Sequence, residues 1–180
     1  METAWYFRLF FVHALAFTMS FLLYGITRAK RMSGPGQGKS HIVVYFVSLI
    51  VGWALMWFVT FSINLAFWVG LAIIVFGEVV YVLGYMAMRE HPEKKQAVVD
   101  WGIYKVSRNS HVLAGIICLL GVVVMGWSPQ SIIYIALWVY FVLYVIMSHF
   151  GVLNEEKLNI ERFGPEYKDY MKRVPRYIIK

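Results

Sequence analysis

Long apolar runs alternate with short polar breaks along this chain. Five of them approach the roughly 20 residues that a helix needs to cross a hydrocarbon core about 30 Å thick. They are about Ala4–Ile26, Ile42–Phe61, Leu65–Met88, Val112–Trp127 and Ile132–Val152. The second carries no charge and the third carries one, Glu78. The fourth is short, so either it begins earlier, from Ser107 onward, or it sits in protein rather than lipid. Turns are predicted at Ser62-Ile63-Asn64 and at Trp127-Ser128-Pro129-Gln130, because Pro cannot continue the helix it follows. The pattern predicts an all-α polytopic membrane protein, a single integral membrane domain over residues 1–180. It has five transmembrane helices, the last two a hairpin, and short cytoplasmic helices at the C-terminus.

Composition strengthens this reading. The chain is 60% apolar and only 15% charged, where an ordinary soluble domain is about 45–50% apolar and about 25% charged. A globule of 20.9 kDa has no room to hide so much apolar surface. Disorder and a coiled coil are excluded by the same numbers. The one cysteine, Cys118, closes no intrachain bridge, which excludes a disulfide scaffold and leaves the redox compartment unread. The first run reads as an uncleaved helix rather than a signal peptide. Met1-Glu2-Thr3 supplies no basic lead-in, and the positive charge follows the apolar run.

The net charge of +7 then sets orientation. Arg28, Lys30, Arg31 and Lys39 fall in the first loop. Arg89, Lys94, Lys95, Lys105 and Arg108 fall in the third. Lys157, Arg162, Lys168, Lys172, Arg173, Arg176 and Lys180 fall in the tail, and the two tight turns have no basic residue. Basic loops stay inside, so the N-terminus is expected outside and the tail in the cytoplasm. Charge sorted to one face in this way is not a nucleic-acid footprint. Gly38-Lys39-Ser40 lacks the spacing of a phosphate-binding loop, and Pro35 interrupts the segment.

Two polar segments are brought together by the hairpin of the last two spans: Gln96 to His111 before the fourth span, and Asn154 to Lys180 after the fifth. The tail contains Glu155-Glu156-Lys157-Leu158, then Phe163-Gly164-Pro165-Glu166-Tyr167-Lys168-Asp169-Tyr170, then Val174-Pro175-Arg176. It closely resembles the C-terminal signature of the isoprenylcysteine carboxyl methyltransferase and phospholipid methyltransferase superfamily. There a Glu-Glu pair precedes Leu, Phe-Gly-x-x-Tyr-x-x-Tyr and Val-Pro-Arg. Upstream, Gly102-Ile103-Tyr104-Lys105-Val106-Ser107-Arg108 is similar to that family's Gly-x-Tyr-x-x-x-Arg element, which opens the penultimate helix. Gly126-Trp127-Ser128-Pro129 resembles its hairpin turn. The resemblance is specific over about Trp101–Ile178. It departs from the family where His-Pro after the Arg is replaced by Asn109-Ser110, and where the Tyr is replaced by Val112.

The resemblance implies S-adenosylmethionine as cofactor, bound within residues 96–180, and methyl transfer to a lipophilic or membrane-embedded acceptor. The acceptor is left open among a lipid amine, an isoprenoid-linked carboxylate and a small thiol. Membrane lipid is an expected partner and nucleic acid is not. Arg108 and Asn109 could meet the methionyl carboxylate. Glu155 and Glu156 could meet ribose hydroxyls and the amino group. Tyr104, Phe163, Tyr167 and Tyr170 could wall the adenine or face the sulfonium, an attraction of about 0.5–2 kcal/mol for comparable pairs. His111 is a further cofactor-side candidate. Arg108, Glu156 and Glu78 are the candidate catalytic residues, and Glu78, Glu155 or His111 could take a proton from an amine acceptor.

Each candidate has a structural alternative. Tyr167 and Tyr170 share a helical face and could equally be interfacial anchors. The Glu-Glu pair could be a solvated helix start. Glu78 sits mid-span, where a carboxylate costs about 2.5–3.5 kcal/mol. It is expected to face protein on a stripe with Gly70, Ile74, Tyr81 and Tyr85. There it either lines the acceptor pocket or pairs with Arg8, His13 or His149 as interhelical glue. His13 and His149 read as packing residues, no metal-ligand spacing accompanies them, and no metal is expected. Two rival functions remain: a non-catalytic membrane scaffold or accessory protein on the same fold, and an NADPH-dependent sterol-reductase-like enzyme, for which 180 residues is short.

Overall fold

The structure, a computed structural model, describes residues 50–52, 54–56, 58–59, 61–89 and 97–178. The first apolar run, most of the second, Arg8, His13, the Gly38-Lys39-Ser40 loop and residues 90–96 lie outside the described residues. The chain divides into two compact units, Met1–Phe61 and Ser62–Lys180. In the first, described positions between 50 and 58 have helical backbone. The second carries everything that follows.

Among the described residues the second unit is all helical. Helix α1 is Leu65–Arg89, followed by a short 3-10 helix Gly102–Lys105. Then come α2 (Ser110–Met125), α3 (Ile132–Phe163) and α4 (Pro165–Arg173). The predicted turns lie where expected. Asn64 closes the first: its Oδ1 accepts a hydrogen bond from the Phe67 N–H at 3.0 Å, satisfying a donor that every helix start leaves free. Ser131 caps α3 in the same way, its Oγ accepting from the Tyr134 N–H at 3.4 Å.

Among the described residues two helices, α1 and α3, are long and apolar enough to cross a membrane, and α2 is a shorter apolar helix. Both long helices expose broad apolar faces. Trp68, Phe76, Val79, Leu83 and Met86 are exposed on α1, and Val139, Val142, Leu143, Ile146 and Phe150 on α3. Faces of this size are not left to water. The fifth run was expected to end near Val152, but α3 continues to Phe163. Nothing in Asn154 to Arg162 breaks a helix, so it stops only at Gly164. The backbone there reverses at φ +57°, and Pro165 opens α4 at the first-turn position that suits it.

Helix α1 packs on α2 through small residues. A Cβ built at Gly70 would sit 2.5 Å from the Gly121 carbonyl oxygen and 2.5 Å from the Met125 nitrogen. One at Gly77 would sit 2.6 Å from Cys118 Sγ, and one at Gly121 would sit 2.7 Å from the Gly70 carbonyl oxygen. Such close backbone approach is how apolar helices associate without a hydrophobic driving force. The thiol of Cys118 contributes by donating to the Ile74 carbonyl at 3.7 Å. The buried stripe of α1 is therefore Gly70, Ile74, Gly77, Val80, Tyr81, Gly84 and Ala87. Tyr85, expected on it, is instead exposed and accepts from Arg89 Nη1 at 3.1 Å. The seven-residue spacing of the glycines, not a spacing of four from Tyr81, sets the seam.

Candidate functional site

The segment from Val98 to Asn109 links the end of α1 to the start of α2 and folds beneath the tail. Trp101 anchors it: its Nε1–H donates to the Ala87 carbonyl at 2.6 Å, using an acceptor that the last turn of α1 leaves free. Gly102 follows with φ +56°, and a Cβ there would lie 2.8 Å from that of Ala87, so glycine is required twice over. Val98 packs with Tyr167, Tyr170 and Val174, all buried, and Ile160, Phe163 and Met171 complete the cluster. An exposed ion pair, Arg173 Nη2 to Asp100 Oδ2 at 3.3 Å, closes the rim.

At the centre lies Glu156, its side chain 5% exposed, between two arginines. Arg108 Nη2 donates to Glu156 Oε1 at 2.9 Å, and Arg108 Nη1 donates to the Met171 carbonyl at 2.8 Å. Arg176 approaches from the tail. Its Nη2 donates to Oε2 at 2.8 Å, and its Nε reaches Oε1 and Oε2 at 3.1 and 3.2 Å. The backbone repeats the join. The Arg108 N–H donates to the Pro175 carbonyl at 3.1 Å, and Ser107 Oγ and Asn109 Nδ2 donate to the Arg176 carbonyl at 3.3 and 3.2 Å. Burial pushes the Glu156 carboxyl up, but hydrogen bonds and charge from Arg176 and Arg108 outweigh it, and its pKa falls below the ordinary value.

Of the residues singled out by sequence, Arg108, Asn109, Glu156, Tyr104, Tyr167 and Tyr170 are buried. Arg108 meets Glu156 directly. Tyr170 ties the segments together, its hydroxyl donating to the Tyr104 carbonyl at 2.7 Å, and its ring centroid is 5.8 Å from that of Tyr167. Burial raises the Tyr170 hydroxyl well above its ordinary pKa, so it stays a donor. Glu155 and His111 are half-buried near this cluster in sequence. Glu78 is half-buried in α1. His149 Nδ1 lies 3.2 Å from the Tyr177 hydroxyl, which places the end of the tail against α3.

Sequence reasoning passed over Arg176 as a site residue although it closes the Val-Pro-Arg motif, and passed over Ser107 and Ser110. Among the described residues no group of three His, Cys, Asp or Glu could hold a metal ion.

Among the described residues the features are all-helical: two membrane-length apolar helices, and a buried arginine–glutamate cluster joining the base of a helical hairpin to its tail. The chain belongs to the family described as protein of unknown function (DUF1295), whose model matches residues 38–174. No curated protein and no solved structure matches it significantly.

Proposed function

We propose that this chain is an integral membrane methyltransferase of the isoprenylcysteine carboxyl methyltransferase and phospholipid methyltransferase superfamily, using S-adenosylmethionine on a lipophilic acceptor. The observation that carries this reading is the Arg108–Glu156–Arg176 cluster. It draws into one place the three segments on which the resemblance rests: the Gly-x-Tyr-x-x-x-Arg element, the Glu-Glu pair and Val-Pro-Arg. Five spans, with the N-terminus outside, put this cluster on the cytoplasmic side of the membrane, as the basic loops require.

The donor set fits the cofactor in part. Arg108 Nε is buried and has no hydrogen-bond partner, so it is available to a methionyl carboxylate. Glu156 is not available in the same way, because both its oxygens accept from arginines. Its role is to hold Arg108 in place, and Glu155 supplies the carboxylate for ribose hydroxyls. The cofactor, when bound, supplies a methyl group already activated by a cationic sulfonium. The protein's task is to align the acceptor and exclude water. The buried aromatic cluster of Tyr167 and Tyr170 serves the second requirement.

Titration of the full chain in lipid nanodiscs with S-adenosylmethionine tests the reading. Glu155→Ala and Arg108→Lys should each weaken binding about tenfold or more, equivalent to about 1.4 kcal/mol. Lysine cannot reproduce the five donors that arginine presents in a fixed planar fork. Absence of binding by the unmutated protein refutes the proposal. Binding without turnover on any membrane lipid extract favours the non-catalytic alternative.

A further inference from the structure

Three buried side-chain atoms around the start of α2 have no hydrogen-bond partner: the Tyr104 hydroxyl, the Ser110 hydroxyl and Arg108 Nε. The two hydroxyls lie against the same glycine of α1. A Cβ built at Gly84 would lie 3.2 Å from Ser110 Oγ and 3.9 Å from both the Tyr104 hydroxyl and Ile103 Cγ2. Tyr104 is 2% exposed and Ser110 0%.

Neither hydroxyl is explained by the fold. The tie from Tyr170 uses the Tyr104 carbonyl, not its hydroxyl, so phenylalanine would pack as well. Alanine would fill the place of Ser110. Burying a polar group without a partner is costly, and two such groups beside one glycine call for an explanation.

We propose that Tyr104 and Ser110, beneath Gly84, form the seat for an uncharged hydroxyl group of a lipophilic ligand. The walls argue for that chemistry. Gly84, Ile103, Tyr104 and Ser110 carry no charge, and an ionised group buried among them lacks a counter-ion. The neighbouring carboxylate, Glu156, is already held by two arginines. Each hydroxyl both donates and accepts, so a ligand hydroxyl can accept from one and donate to the other. Calling this ligand the methyl acceptor rests on the methyltransferase reading. In that reaction the ligand oxygen bonds to the methyl carbon, the carbon–sulfur bond breaks with its electron pair left on sulfur, and the hydroxyl proton passes to the protein hydroxyl that accepts its hydrogen bond and is relayed from there to bulk solvent.

The test uses para-octylphenol, with para-octylanisole and para-octylbenzoate as congeners, titrated into the full chain in nanodiscs against empty nanodiscs. The phenol should bind saturably and more tightly than either congener. Ser110→Ala and Tyr104→Phe should each weaken it about tenfold or more, without lowering the melting temperature. Ser110→Ala should leave S-adenosylmethionine affinity unchanged. Gly84→Ala, which crowds Ser110, should also weaken phenol binding. The proposal is overturned by no saturable phenol binding, by equal affinity in both hydroxyl-deleted variants, or by tighter binding of the benzoate or the anisole. Ser110-dependent phenol binding without S-adenosylmethionine binding keeps the seat and removes the methyltransferase reading. The reverse pattern removes the seat alone.

Discussion

Glu156 is the residue on which the most contacts of the candidate site converge. Replacing it by Gln keeps its shape but leaves Arg108 and Arg176 without their counter-charge. Breaking a buried ion pair from one side costs about 3–5 kcal/mol, so Glu156→Gln should lower the melting temperature in mild detergent more than Arg176→Ala, whose side chain is 33% exposed. The same carboxylate makes the fold acid-sensitive. Its folded pKa lies below the 4.5 of an unperturbed glutamate. The stabilisation is therefore present above that ordinary value and is lost as pH falls through the folded one. Scans from pH 7 downward should show this loss in the unmutated protein and a flatter profile in Glu156→Gln. Arg108 and Glu156 were legible from their motif positions. Arg176 stood in the same motif, but the sharing of one carboxylate between two arginines has no spacing that announces it. The idle hydroxyls of Tyr104 and Ser110 were invisible for a related reason: lacking a partner is a property of the neighbours.

At the scale of elements, α1 and α2 adhere because glycines let their backbones touch. A methyl group at Gly70 would meet main-chain atoms of Gly121 and Met125 at 2.5 Å, and these cannot turn aside as a side chain can. Overpacking of this kind costs about 1–3 kcal/mol. Gly70→Ala should lower thermal stability in detergent, whereas Gly151→Ala, with nothing within 4 Å of the new methyl, should be neutral or stabilising. There the removal of a helix-interior glycine favours folding by about 0.5–1 kcal/mol. Equal effects at the two positions would mean that the seam is not a close contact. Leu65 and Arg89 bound α1 much as the apolar run predicted, since lipid-length hydrophobicity and an Asn cap are local signals. The length of α3 beyond Val152 was not legible, because a change from apolar to polar marks where a helix leaves lipid, not where it stops. Tyr85 was misplaced because helical spacing alone offers several stripes, and only the partner helix selects one.

At the scale of the whole molecule, the charge distribution and the site make one claim. The turn joining α2 to α3 carries no basic residue, while α4 and the tail are rich in them. A helical hairpin that crosses the membrane has its turn and its base on opposite sides, and the proposed topology, with basic residues inside, has the base and its Arg108–Glu156–Arg176 cluster in the cytoplasm. Gln130 in the turn and Lys172 on α4 are both exposed, so each can report its own side. In a Cys118→Ser background, a membrane-impermeant maleimide should label Gln130→Cys in intact cells and leave Lys172→Cys untouched until the membrane is permeabilised. Labelling of Lys172→Cys in intact cells would invert the topology and move the cluster to the outer face. Labelling of both positions in intact cells would show that the hairpin does not span. The proposed cofactor site, filled from the cytoplasm, survives only the first pattern, so this measurement also bears on the proposed chemistry without requiring knowledge of the acceptor.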